Sequence, residues 1–136
     1  DPATMQQDPQ YDDVLLDVYD FLSRQIEMLV LAGVSRDRIV ADPGIGFGKT
    51  LEHNLTLLAR LSLFHGLGVP VLLGASRKRF IGTIGKAEQA DTRMSGSLGV
   101  ALAVLSHGIQ VLRVHDVAET VQAIALWRAA TAGRQV

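Results

Sequence analysis

Three short polar motifs carry the residue types that could do chemistry: Asp42-Pro43-Gly44-Ile45-Gly46-Phe47-Gly48-Lys49, Ser76-Arg77-Lys78 and Arg113-Val114-His115-Asp116. The Asp42 carboxylate could accept two parallel N–H bonds from an amidine-like or guanidine-like ligand edge. A basic side chain of the second motif could donate to a ligand carbonyl or ring nitrogen, and a partly desolvated Lys78 would have a lowered pKa. Arg113 and His115 alternate along the chain, so on a strand they face the same way. A planar bidentate donor beside an imidazole makes an anion clamp, and a helix amino terminus following it favours the same charge.

Each motif also has an ordinary structural explanation. Asp42 before a proline could cap a turn, although Gly44, Gly46 and Gly48 permit positive φ and close backbone approach more often than a cap requires. Ser76-Arg77-Lys78 could be a solvated loop, and Arg113 could pair with Asp116 while His115 packs beside a helix cap. Gly48-Lys49-Thr50 ends like a phosphate-binding loop, but G-x-x-x-x-G-K-[ST] requires glycine where Pro43 stands, and G-x-G-x-x-G fails as well. Lys49 therefore reads as a solvated loop residue. His53, His65 and His107 lie on helices or near helix ends and read as structural or solvated. Metal-ligand spacing and a nucleophile elbow are both missing from the sequence.

The elements that must position these motifs follow from periodicity. Residues 14–32 carry apolar side chains at helical spacing and stop at Gly33. A short β-branched run over 38–41 ends at Asp42, and a second amphipathic helix over 51–64 closes at Gly66 and Gly68. Residues 69–75 form a nearly continuous apolar run, the pattern of a parallel strand covered on both faces. After a loop over 76–85 come a small-residue helix over 91–106, a strand over 109–114 and a last helix from 117 to about 130. Asp116 and Glu119 have capping-box spacing. The order is α-β-α-β-α-β-α. Carboxyl ends of parallel strands all point one way, so the three motifs converge on one rim.

The composition is that of one soluble globular domain: 136 residues, 48% hydrophobic and 20% charged. It holds no cysteine, which fits a reducing compartment. No segment approaches the ~18 apolar residues of a membrane span, and Asp1, Asp8, Asp12 and Asp13 are unlike the basic start of a secretion signal. A cytoplasmic protein is expected, with no membrane partner. A net charge of -1 leaves no footprint for nucleic acid, so the cluster Arg77-Lys78-Arg79 suggests a local anion site.

Taken in this order, the glycine loop, Gly74-x-Ser76-Arg77-Lys78-x-x-Ile81-Gly82 and Arg113-Val114-His115-Asp116-Val117 resemble the dihydropteroate synthases of bacterial folate synthesis. Thr4-Met5-Gln6 and Ser95-Gly96-Ser97-Leu98 look like the same family, so the likeness runs from end to end. It implies an α/β fold, a (β/α)8 barrel with its site at the carboxyl face of the strands. The implied reaction condenses (7,8-dihydropterin-6-yl)methyl diphosphate with 4-aminobenzoate to give 7,8-dihydropteroate and diphosphate. The resemblance further implies that Asp42 and Lys78 hold the pterin beside Gly74. Gly46, Phe47, Ser76 and the backbone around Arg77 would border the 4-aminobenzoate site, where sulfonamides compete. Arg113 and His115 would hold the diphosphate, so that Lys78, Arg113 and His115 carry the catalysis. Mg2+ is implied as cofactor, and a homodimer through the late helices.

A (β/α)8 barrel takes about 250 residues and eight strands. Three strands and four helices are expected here, so residues 1–136 read as the carboxyl-terminal half of a pterin-binding barrel domain. The missing amino-terminal half would be its partner and would hold the Mg2+ ligand; alone the chain is expected to be inactive. Two other readings are a non-catalytic binding module and a methyltetrahydrofolate-binding methyltransferase domain. A methyl donor has no diphosphate for Arg113 and His115 to hold, which argues against the latter.

Overall fold

A computed structural model describes residues 10–135. The first helix, α1 (Val14–Leu31), starts where the Asp13 side chain accepts from the backbone N–H groups of Leu15 and Leu16. It stops just before Gly33, whose φ of +94° suits a residue without Cβ. Val14, Val18 and Ile26 bury one face of α1, which packs on α2 (Leu51–Ala59). A capping box opens α2: Thr50 Oγ1 accepts from the His53 N–H, and His53 Nδ1 from the Thr50 N–H, both at 3.2 Å.

The expected helix over 51–64 divides at Arg60. Beyond it the chain tightens into a 3-10 helix, Leu61–Leu67, whose buried residues Leu61, Phe64 and Leu67 recur every third position. That spacing matches the three-residue turn of a 3-10 helix. Leu57, Leu61, Phe64, Val71, Leu73 and Ile45 are the most deeply buried side chains and form the centre of the core.

Three parallel segments lie side by side. In the middle is β1 (Leu72–Leu73), paired with β2 (Val111–Leu112) in the register Leu72 to Val111 and Leu73 to Leu112. On the other side of β1 the expected strand over 38–41 is reduced to Ala41, bridged to Val71. Arg38 is committed to the 3-10 turn Arg36–Arg38 and so cannot extend that pairing. The central strand is also shorter than its apolar run, because Pro70 has no N–H and the Val71 N–H goes to Gln110 Oε1 at 2.9 Å.

The loop expected over 76–85 contains a further helix, α3 (Arg79–Gly85), with Phe80 and Ile81 buried beneath it. A 3-10 turn, Ala90–Arg93, leads into α4 (Met94–Leu105). The last helix, α5 (Val117–Ala132), packs on α4 and ends at Gly133 in the left-handed conformation. Asp116 stands at the N-cap of α5 but makes no side-chain cap bond, so the box expected with Glu119 does not form. Its carboxylate is taken by Arg77. Among the described residues no helix is long and apolar enough to cross a membrane.

Candidate active site at the strand ends

The glycine loop is braced from within. Asp42 Oδ1 accepts from the Gly44 N–H at 2.8 Å, so the turn-capping role is realised. Gly44, Gly46 and Gly48 all have positive φ, between 58° and 79°. Lys49 is buried, not solvated as its loop position suggested: its Nζ donates to the Gly44 carbonyl at 2.9 Å and the Phe47 carbonyl at 3.0 Å. Burial pushes its pKa down, opposed by Asp42 and aided by Lys78. Asn54, also buried, accepts from the Gly46 N–H at 2.7 Å and donates to the Thr50 carbonyl at 2.9 Å. Sequence reasoning missed Asn54; a lone amide among the leucines of α2 was the available signal.

Lys78 crosses this loop. A Cβ added at Gly46 would lie 3.0 Å from Lys78 Cδ, and the ammonium stands 3.6 Å from the centre of the exposed Phe47 ring. That distance is within cation–π range. Burial lowers the lysine pKa, the nearby Arg113 lowers it further, and Asp42 opposes both.

At the ends of the central strand and β2 the remaining motif residues meet. The Ser76 hydroxyl is 2.9 Å from His115 Nδ1 and accepts from the His115 backbone N–H at 3.2 Å. The Arg113 guanidinium covers Gly74 so closely that a Cβ there would fall 2.8 Å from Nη2. Arg77 turns away from this group and pairs with Asp116, Nη2 to Oδ1 at 2.6 Å and Nε to Oδ2 at 3.2 Å. Hydrogen bonding to Arg77 holds the Asp116 carboxyl below its ordinary pKa. Arg113 is thus not the partner of Asp116.

Two cavities share Lys78. One, of about 290 Å3, is lined by Gly74, Ser76, Lys78, Arg113, Val114 and His115. The other, of about 390 Å3, includes Gly46, Lys49, Asn54, Lys78 and Phe80. Asp42 lines a separate cavity of about 470 Å3 beside α1, with Tyr11, Phe21 and Lys49. Two other histidines have structural partners, His53 in the capping box and His65 through the His107 carbonyl at 2.6 Å. Among the described residues no group of three or more His, Cys, Asp or Glu side chains could enclose a metal ion.

Residues 1–115 match the family model described as "Pterin binding enzyme". The dihydropteroate synthase of Escherichia coli strain K12 is 42% identical over 134 residues, which cover 98% of this chain and 47% of that relative. Two solved structures of the Thermus thermophilus dihydropteroate synthase, one in complex with 4-aminobenzoate and one with 6HMPPP, superpose with TM-scores of 0.91 at 45% identity. They cover 96% of this chain and 53% and 51% of theirs. A Yersinia pestis dihydropteroate synthase in complex with a sulfonamide drug superposes with a TM-score of 0.90 at 40% identity, over 96% of this chain and 47% of that one. The chain spans about half the length of the curated relatives it matches.

Proposed function

This chain belongs to the pterin-binding enzyme family, and from that premise we propose that it forms the carboxyl-terminal half of a dihydropteroate synthase domain. Its fold is a partial (β/α)8 barrel. The observation that carries the proposal is the position of Lys78, which lines both the cavity holding Arg113 and His115 and the cavity beside Gly46. A side chain so placed stands where two substrates would be brought together.

In the proposed reaction the C–O bond of (7,8-dihydropterin-6-yl)methyl diphosphate breaks, and diphosphate leaves with the electron pair. The pterin-methyl cation left behind is delocalised over the ring. The amine nitrogen of 4-aminobenzoate then bonds to the methylene carbon and loses a proton, so no protein nucleophile is required. Arg113 offers a planar fork of donors to the departing diphosphate, and His115 a further donor, stabilising charge where it develops. Asp42 and Lys78 fix the pterin so that its carbon faces the amine. A carboxylate has about four acceptor positions, so the single bond from Gly44 leaves Asp42 room for a ligand edge. Gly46, Phe47, Ser76 and the backbone at Arg77 border the aminobenzoate, and Gly74 admits the Arg113 guanidinium next to the pterin.

The reading includes an amino-terminal half that completes the barrel. An apolar cavity of about 680 Å3 between β2 and α5, lined by Leu112, Val114, Val121, Ile124 and Trp127 among others, is a surface for it to cover. Mg2+ belongs to the same reading, with its ligands proposed to lie in that half, and no step of these residues depends on it. Competition by sulfonamides, a homodimer through the late helices and a cytoplasmic location belong to the same reading.

Mixing this chain with the amino-terminal half of a dihydropteroate synthase and assaying dihydropteroate tests it. Product is expected only when both halves and both substrates are present. Absence of product from folded, associated halves would overturn the enzyme reading in favour of a non-catalytic binding module.

A further inference from the structure

Arg77 has a φ of +57°, the left-handed region that a residue with a Cβ enters at a cost in backbone energy. Both of its backbone polar groups are held by side chains, one from Ser97 in the first turn of α4 and one from Arg93, which ends the 3-10 turn before it. Its N–H donates to Ser97 Oγ at 2.8 Å, and its carbonyl accepts from Arg93 Nη1 at 3.0 Å. The Ser97 hydroxyl donates in turn to the Arg93 carbonyl at 2.7 Å, so its single proton is committed and its lone pair faces Arg77. The rest of the Arg93 guanidinium is anchored on the loop after α3, Nε to the Ala87 carbonyl at 2.8 Å and Nη2 to the Glu88 carbonyl. A Cβ at Gly82 would come within 2.5 Å of both Arg93 Nε and the Ala87 carbonyl, so only glycine there lets the guanidinium reach these partners.

We propose that Ser97 and Arg93 are positioning residues that hold Arg77 in its left-handed turn and so separate its two neighbours. On one side Ser76 is directed to His115, 2.9 Å away; on the other Lys78 is directed over the Phe47 ring. An extended or right-handed Arg77 would re-aim one of the two. The catalytic consequence rests on the pterin diphosphate reading above, whereas the positioning itself does not. It also accounts for Ser97 and Gly82, two motif residues to which the proposed function assigns no substrate.

The chain has three lysines, Lys49, Lys78 and Lys86, so a carbon-13 lysine label gives a spectrum in which the ε-methylene of Lys78 is identified by the loss of its ring-current shift in Phe47→Leu. In Ser97→Ala and in Arg93→Lys that shift is expected to fall by at least half, while the Trp127 and core methyl signals stay native. Ser97→Thr, which keeps the hydroxyl, is expected to retain it. A lowered melting temperature with the Lys78 shift unchanged below the transition would overturn the proposal, since that is all a merely structural contact would produce. Where Ser97→Ala does not fold, Arg93→Lys decides by the same criterion. In enzyme reconstituted with an amino-terminal half, Ser97→Ala is expected to lower kcat/KM for the pterin diphosphate severalfold. A Lys78 signal that moves while kcat/KM does not would leave the positioning intact and overturn the functional reading.

Discussion

The Lys78 ammonium stands 3.6 Å from the centre of the Phe47 ring, which ties the turn after β1 to the glycine loop far upstream. The lysine stem reaches the ring by passing over Gly46, at a position where a methyl group would press on it. Phe47 is 44% exposed, so the pair sits at the weak end of cation–π energies, about 0.5 kcal/mol. Phe47→Leu should therefore leave urea unfolding nearly unchanged. In reconstituted enzyme it should raise KM for 4-aminobenzoate severalfold, and an unchanged KM would remove the ring from the aminobenzoate site.

Lys78→Ala should have a larger effect, because it empties a position common to two cavities. Pterin binding and turnover are expected to fall roughly tenfold or more, the range for deleting a polar partner in a built site. Since burial holds the ammonium pKa below its ordinary value, binding that depends on this charge should fade with rising pH earlier than an exposed lysine would allow. Binding titrations across the alkaline range, with Lys78→Met as the control, check both points.

The Arg77 to Asp116 pair sets an acid limit. Because hydrogen bonding to Arg77 depresses the Asp116 pKa in the folded chain, protons bind the unfolded state better. The pair's contribution to stability is then fully present above the ordinary value of 3.8 and lost as pH falls through the lower folded value. Asp116→Asn should lower the urea midpoint at neutral pH, and the gap to the parent chain should close in strong acid. A gap that persists there would mean that lost packing, and not lost charge, is responsible.

Features encoded within a few residues were legible in the sequence. The helical span of α1, its stop at Gly33 and the polar motifs following apolar runs all depend on local chemistry. What escaped was decided by distant partners. Asp116 has a suitable capping partner three positions ahead in Glu119, yet its carboxylate goes to Arg77, 39 positions away. The Lys49 ammonium is buried because loop carbonyls turn inward to meet it, which no local pattern announces. Within the stretch over 76–85 expected as a loop, burial of Phe80 and Ile81 holds α3 together against the weak helix propensity of Gly82 and Gly85. Leu61, Phe64 and Leu67 suit either a 3.6-residue or a three-residue turn, so the change at Arg60 was invisible.

Two glycines three positions apart in α4 should respond in opposite ways to the same substitution. At Gly99 an added Cβ meets nothing within 4 Å, so Gly99→Ala removes only helix-forming cost and should stabilise by about 0.5–1 kcal/mol. At Gly96 the Cβ would lie 2.4 Å from Cγ2 of the buried Ile81, so that side chain or the packing of α4 on α3 must shift. Gly96→Ala should cost about 1–3 kcal/mol as overpacking. Urea unfolding of the two variants is the check, and equal midpoints would contradict this packing of α3 on α4.

Gly74 offers the most direct probe of the proposed anion clamp. A Cβ at this position would fall 2.8 Å from Arg113 Nη2 and 3.0 Å from Nε, but the obstructed atoms are the end of a flexible side chain and not backbone. The guanidinium can therefore swing aside at little cost to the fold, and Gly74→Ala should shift stability by less than about 0.5 kcal/mol. What it should lose is the orientation that brings Arg113 to the same cavity as His115. Calorimetry with inorganic diphosphate is expected to show severalfold weaker binding in Gly74→Ala. A similar loss is expected in Arg113→Lys, where the charge remains but the planar fork does not. If Arg113→Lys weakens diphosphate binding and Gly74→Ala does not, the clamp forms from an arginine rotamer away from Gly74. If neither variant weakens it, the anion is held elsewhere on the rim.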